Sequence, residues 1–239
     1  MAQRDQQNRA LAHRLQQQTD RLHSELRVAE YVTSLLPGGL DGPVQVSRRY
    51  LPSRELGGGC FGYRWRRSRS TTSCGRGRCR TRTLLKPATV LAELNAKFPM
   101  DEHGGNYFTM WYGLYESSTP TLRYASAGHP PALAFCQPGA DPVRLTSAGM
   151  PVGMFTDTEF GCETYQVPHG AEIVVYSDGA FEFPVPEGSV WSLPDFVALC
   201  AELYGSGGWT VDDLAYRLKA RTAEGLFNDD CSLLRLRFP

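Results

Sequence analysis

Glu172-Ile-Val-Val-Tyr-Ser-Asp-Gly-Ala-Phe-Glu182 carries an uninterrupted apolar run that stops at a charged turn. Ile173, Val174, Val175 and Tyr176 are short, branched or aromatic, which predicts a strand buried on both faces. The run ends at Ser177-Asp178-Gly179, where a carboxylate is followed at once by a residue without a side chain. Desolvating a carboxylate at the end of a buried strand is costly unless it is paired or bound to a cation. Gly179 lets the backbone turn tightly and lets a ligand approach. Taken alone, Asp-Gly reads first as an ordinary turn in which Asp178 accepts backbone hydrogen bonds.

A second acidic cluster lies near the end of the chain. Asn228-Asp229-Asp230 directly precedes Cys231-Ser-Leu-Leu-Arg-Leu-Arg-Phe238, which alternates like a strand with one face buried. One acidic cluster therefore leaves a buried strand and the other enters one. In neighbouring antiparallel strands those two ends lie side by side, which would bring Asp178 and Asp229 together. Hard divalent ions such as magnesium or manganese take oxygen ligands, often one or two protein carboxylates plus water.

These motifs and others carry a family resemblance. Ser177-Asp-Gly179, Asp229-Asp-Cys-Ser-Leu-Leu234 and Tyr124-Ala-Ser-Ala-Gly-His-Pro-Pro131 are similar to the later motifs of bacterial PPM-type phosphatases of the RsbU and sporulation protein E kind. Arg27-Val-Ala-Glu-Tyr-Val-Thr-Ser-Leu-Leu-Pro37 and Arg49-Tyr-Leu-Pro-Ser-Arg-Glu-Leu-Gly-Gly58 resemble the entry of the same family. The resemblance implies an α+β fold in which two antiparallel β-sheets pack as a sandwich flanked by helices. It also implies two manganese or magnesium ions and a metal-activated water that attacks phosphoserine or phosphothreonine. Asp178 and Asp229 are the metal ligands it assigns, with Gly179 and Asp230 in support. The implied partner is a phosphoprotein, such as an anti-sigma-factor antagonist.

Composition sets the outer bounds. A chain of 239 residues with zero formal net charge can bury one substantial core, and its overall field favours neither nucleic acid nor an acidic membrane. No apolar run reaches membrane-spanning length and Met1-Ala-Gln-Arg-Asp-Gln-Gln has no signal-peptide core, so a cytoplasmic location is expected. Cys60, Cys74, Cys79, Cys136, Cys162, Cys200 and Cys231 are odd in number and scattered, as in a reduced protein without a zinc site.

From the N-terminus, residues 1–36 read as a linker whose residues 3–36 form one helix. Leu11, Leu15, Leu22, Leu26, Ala29, Val32 and Leu36 fall roughly on one stripe. That stripe suits a weak homodimer seam, interrupted at Gln18 and Glu25, or a helix folded onto its own domain. Residues 37–239 read as the phosphatase-like domain. Val44, Val46 and Tyr50 begin its first strand, which leads into Glu55-Leu-Gly-Gly-Gly-Cys-Phe-Gly62. In the family an aspartate that ligates metal follows the glycine pair; Gly59 stands in its place here, so that ligand is lost.

The domain is incomplete around residues 64–85. Arg64, Arg66, Arg67, Arg69, Arg76, Arg78, Arg80 and Arg82 alternate with Ser, Thr, Gly and Cys, too polar to repay the entropy of ordering. The family's second strand, its Asp-x-Ser-Gly-His-Gly turn with the metal-bridging aspartate and the start of a long helix belong here and are missing. The segment is about twenty residues short for those elements. An altered reading frame or deletion, a basic loop, or an Arg-rich tract that binds single-stranded nucleic acid would each produce such text. The nucleic-acid reading is the weakest, since only Tyr63 and Trp65 supply aromatic rings.

Order resumes with a helix over Lys86–Phe98, with Val90, Leu91, Leu94 and Phe98 as its apolar stripe. Tyr107–Tyr115 predicts a strand, paired with Thr121–Ala127 across a turn at Ser117–Pro120. His129, in a Pro-rich turn, is a candidate general acid or a structural residue. Ser192 with Asp195, and Thr210 with Asp213, stand at capping-box spacing ahead of two further helices. Three functions follow. The first is a metal-dependent protein phosphatase impaired by its missing ligands, holding at most one ion. The second is a catalytically dead pseudophosphatase that binds and regulates a partner. The third is nucleic-acid binding through the Arg tract.

Overall fold

The computed structural model describes residues 44–51 and 86–239, apart from 104, 187, 223, 224 and 226, together with Ala12, His13 and Gln16. Those last three are helical and exposed. The rest of the expected 3–36 helix, Gly59 and the 64–85 tract lie outside the described residues.

Two antiparallel sheets form the centre. The five-stranded sheet takes β1 (Gln45–Leu51), β10 (Cys231–Arg237), β7 (Glu172–Tyr176), β4 (Ala132–Phe135) and β5 (Val143–Leu145) in that spatial order. The three-stranded sheet takes β2 (Met110–Glu116), β3 (Thr121–Ala127) and β6 (Glu163–Gln166). A short hairpin of β8 (Phe183–Pro184) and β9 (Val190–Trp191) follows β7. The helices are α1 (Pro87–Lys97), α2 (Leu193–Ser206) and α3 (Val211–Lys219).

All five residues of β7 are buried, as its sequence predicts. Ile173 and Val175 point into a core shared with Leu122 and Tyr124 of β3, so the two sheets pack face to face. Val174 and Tyr176 point the other way, against Phe196 and Leu199 of α2 and Leu214 and Leu218 of α3. On the far side, Val90, Leu91 and Leu94 of α1 cover Met110, Tyr112, Ala125 and Ala127. The result is helices, sheet, sheet, helix: the α+β sandwich expected from the motifs. Each fully buried Leu, Ile or Phe contributes about 1.5–3 kcal/mol, and three such layers outweigh any single polar contact.

Two expectations about strands need correction. The Tyr107–Tyr115 strand starts at Met110, because Phe108 is engaged in an isolated bridge with Val152 that diverts the chain before β2. β10 is not buried on one face only: its first five residues are all buried. Cys231 and Leu233 face the helices while Leu234 faces the second sheet. Helices on one side and the second sheet on the other cover both faces of β10, and local alternation does not report that.

Two buried polar groups hold layers in register. Asn95 on α1 accepts the Gly153 N–H at 2.7 Å and donates to the Phe155 and Thr156 carbonyls at 2.8 and 3.2 Å. Gly153 has φ +89° and a Cβ there would run into the Phe98 carbonyl, so only glycine fits. At the start of β7, Glu172 receives two bonds from the Arg235 guanidinium, at 2.9 and 2.5 Å, and one from the Trp209 indole at 3.0 Å. Arg235 also donates to the Trp209 carbonyl and stacks 4.1 Å over its ring.

Candidate functional site

Antiparallel pairing delivers four segments to the opposite end of the five-stranded sheet from Glu172. β1 runs out at Leu51, which pairs with Cys231, the first residue of β10. β10 is entered through Asn228, Asp229 and Asp230, and β7 leaves through Ser177, Asp178 and Gly179. β4 runs antiparallel to β7, so its entry segment, Gly128–Pro131, reaches the same end.

Ser177 pins the two acidic motifs together. Its hydroxyl donates to the Asp230 carbonyl at 2.7 Å and accepts the Ser232 N–H at 2.9 Å, while its own N–H donates to the Ser232 carbonyl at 3.0 Å. Gly179 completes the contact, since a Cβ there would lie 2.6 Å from the Asp230 carbonyl oxygen and 2.8 Å from that of Asp229. The two backbones touch at a residue that must be glycine. The structure thus brings the Asp178 and Asp229 segments together, as expected from strand order.

Each acidic side chain has a distinct place. Asp178 opens a single 3-10 turn over Asp178–Ala180, and its Oδ1 accepts the Gly179 N–H at 3.0 Å. Asp229 Oδ1 accepts the Asp230 N–H at 2.7 Å. Both residues are exposed, and each keeps one carboxylate oxygen outside any hydrogen bond among the described residues. Asp230 is buried and its Oδ2 accepts the Tyr50 hydroxyl at 2.7 Å, so it braces the loop against β1.

His129 is half-buried beside this cluster, with Nδ1 2.8 Å from the Pro130 carbonyl, an arrangement that places the ring proton on Nδ1. Burial pushes its pKa below the ordinary 6.5, against the opposing pull of the Pro130 carbonyl and the negative charge of Asp178. The ring is therefore neutral near pH 7, which disfavours an imidazolium general acid and favours the structural role. Burial, and then the charge of Asp230, push the Cys231 thiol up to about 12, so it supplies no thiolate nucleophile.

The donor set is hard, anionic oxygen, which fits one hexacoordinate divalent ion completed by water. Among the described residues no three His, Cys, Asp or Glu side chains gather to hold a metal. Ser177 and Tyr50 were not singled out as site residues from sequence. Only the β7–β10 and β1–β10 registers reveal that they brace the acidic loops.

Comparison with known proteins follows the same lines. The family model for Stage II sporulation protein E (SpoIIE) matches residues 73–239. The chain is 26% identical to the phosphoserine phosphatase RsbU of Bacillus subtilis over 155 residues, covering 65% of this chain and 46% of that protein. It thus spans about half the length of that relative. Among solved structures, the SiaA-PP2C domain of Pseudomonas aeruginosa superposes with a TM-score of 0.54 at 15% identity, covering 64% of this chain and 60% of that one. The RsbU and RsbW domains of Rv1364c from Mycobacterium tuberculosis give 0.51 at 18% identity, over 82% and 60% of the two chains.

Proposed function

The chain belongs to the SpoIIE family of PPM-type phosphatases, and on that premise we propose that it is a phosphoprotein phosphatase domain whose metal centre is reduced to at most one weakly held manganese or magnesium ion. The observation that supports this most is the pinning of two exposed carboxylates, Asp178 and Asp229, at one end of the sheet by Ser177 and Gly179. A divalent ion there would lower the pKa of a coordinated water and offset charge on phosphoryl oxygens. Asp178 and Asp229 would hold it, while Tyr50 braces Asp230 behind Asp229 and Gly179 keeps the two acidic segments close. The substrate is a phosphoserine or phosphothreonine protein, of the anti-sigma-antagonist kind, in the cytoplasm. The apolar stripe expected over residues 3–36 would serve as a homodimer seam or pack back onto its own domain. No helix among the described residues is long and apolar enough to cross a membrane.

Gly59, at the place where the resembled family carries an acidic ligand, favours a second reading. In it the domain binds its phosphoprotein and regulates it without turnover. Loss of one transition-state electrostatic contact costs about a hundredfold in rate or more, and two missing carboxylates cost at least that. Manganese titration monitored by calorimetry, beside hydrolysis of p-nitrophenyl phosphate, separates the readings. One weakly bound ion and slow manganese-dependent hydrolysis, both lost in Asp178→Asn, support the impaired phosphatase. One bound ion without hydrolysis supports the regulator. Two tightly bound ions, or binding indifferent to Asp178→Asn, would overturn the single-ion site.

A further inference from the structure

Beside the acidic end lies an open groove of about 640 Å³. The β8–β9 hairpin forms one side of it, and the chain leaving the Asp178–Ala180 turn forms the other. Phe181, Phe183, Val190, Trp191 and Leu193 give it an apolar lining, with Glu182 and Asn228 as exposed polar members. The groove is preformed. Phe183 is 2% exposed and stacks on Trp191 at 6.1 Å and edge-on to Phe227 at 5.6 Å. The Arg221 guanidinium covers the Trp191 ring at 4.6 Å. Val190, by contrast, is 66% exposed, an apolar side chain held out in water on β9.

Two features say what the groove would take. It is continuous with the acidic site: the Phe181 and Glu182 N–H groups both donate to the Asp178 carbonyl at 2.9 Å, and Asn228 directly precedes Asp229. Its lining carries one acidic side chain, Glu182, on the side next to the Asp178 turn, while the Arg221 guanidinium is occupied over the Trp191 ring. We propose that this groove binds the segment flanking the phosphoserine of a protein substrate, taking an apolar side chain against Val190 and Trp191 and a neighbouring Lys or Arg at Glu182. This rests on the phosphatase-domain reading above and adds substrate selection to it. The groove excludes water around one side chain, the term that dominates discrimination between peptides of equal charge. Glu182 adds a preference for cations and a penalty against acidic flanks.

The test uses the full chain and short synthetic peptides in phosphorylated and unphosphorylated forms. One set carries Leu-Lys or Phe-Lys flanks and the other carries Ala at every flanking position. Affinity is measured by fluorescence anisotropy with and without manganese. The apolar-basic set should bind about tenfold tighter than the Ala set, the scale expected for burying one apolar side chain. Val190→Asp, at a position 66% exposed and with folding checked by circular dichroism, should erase that difference, and Glu182→Lys should reverse the preference for the basic residue. Equal binding of the two sets, or a preference that survives both substitutions, would overturn the groove. Failure of the phosphatase-domain reading looks different. There the flank preference would persist and respond to Val190→Asp, while phosphate and manganese added nothing to affinity.

Discussion

Ser177 shows how much a single hydroxyl can organise. One oxygen donates to the Asp230 carbonyl and accepts the Ser232 N–H, so removing it strands an acceptor and a donor where the two loops meet. Leaving buried partners unsatisfied costs about 1–3 kcal/mol. Ser177→Ala should therefore lower the unfolding free energy measured in urea by an amount in that range and weaken manganese binding, although no proposed ligand is changed. A midpoint equal to that of the unsubstituted chain would show that water replaces both bonds. From sequence, Asp178 and Gly179 could be singled out because a second acidic cluster, Asn228-Asp229-Asp230, abuts another buried strand and both stretches resemble family motifs. Ser177 could not, since a serine before a turn is common and its partners come from a strand far along the chain.

At the level of elements, local chemistry was legible and packing less so. Thr210 caps α3 as its spacing predicts: Asp213 Oδ2 accepts the Thr210 N–H at 2.7 Å and Thr210 Oγ1 accepts the Asp213 N–H at 3.2 Å. Asp195 likewise accepts the Ser192 N–H at 3.0 Å ahead of α2. Bonds from the Ser192 and Thr210 hydroxyls, and then from their backbone N–H groups, hold both carboxyls below their ordinary value of 3.8. A carboxyl lowered in the folded state contributes stability that is present above its unfolded pKa and lost as pH falls through its folded pKa. The thermal midpoint should accordingly drop on acidification below the ordinary carboxylate range. The Asp195→Asn/Asp213→Asn pair should start lower near neutral pH and show a shallower acid drop. Equal acid slopes would mean that the caps are silent. β2 and β10 illustrate the other side, because which faces are covered depends on neighbours that periodicity does not name.

Across the whole molecule, the charge cluster at the far end of β7 ties the five-stranded sheet to the turn between α2 and α3. Glu172 and Arg235 form a two-pronged pair whose side chains are 8% and 11% exposed, capped by Trp209. Breaking such a pair leaves an uncompensated buried charge, at a cost of about 3–5 kcal/mol, whereas replacing both partners with apolar residues is often close to neutral. Arg235→Met should thus destabilise strongly in urea, and Glu172→Leu/Arg235→Met should recover most of the loss. If the double substitution is as damaging as the sum of the singles, the pair is not coupled. In sequence, Arg235 reads as an outward residue in a Leu-Arg-Leu-Arg alternation. The fold turns it inward beside Leu233 because α2 and α3 cover that face.

The sequence by itself determined the pieces: the doubly buried β7, the β2–β3 hairpin, the capped helices and the order of the family motifs. Tertiary structure alone decided how they meet. Ser177 finds the Asp230 carbonyl 53 residues away and Arg235 finds Glu172 across 63. Such pairings depend on strand register, where a slip of one residue turns every side chain to the opposite face. Register is selected by burying both sheets and three helices at once, a global condition that no local pattern of residues contains.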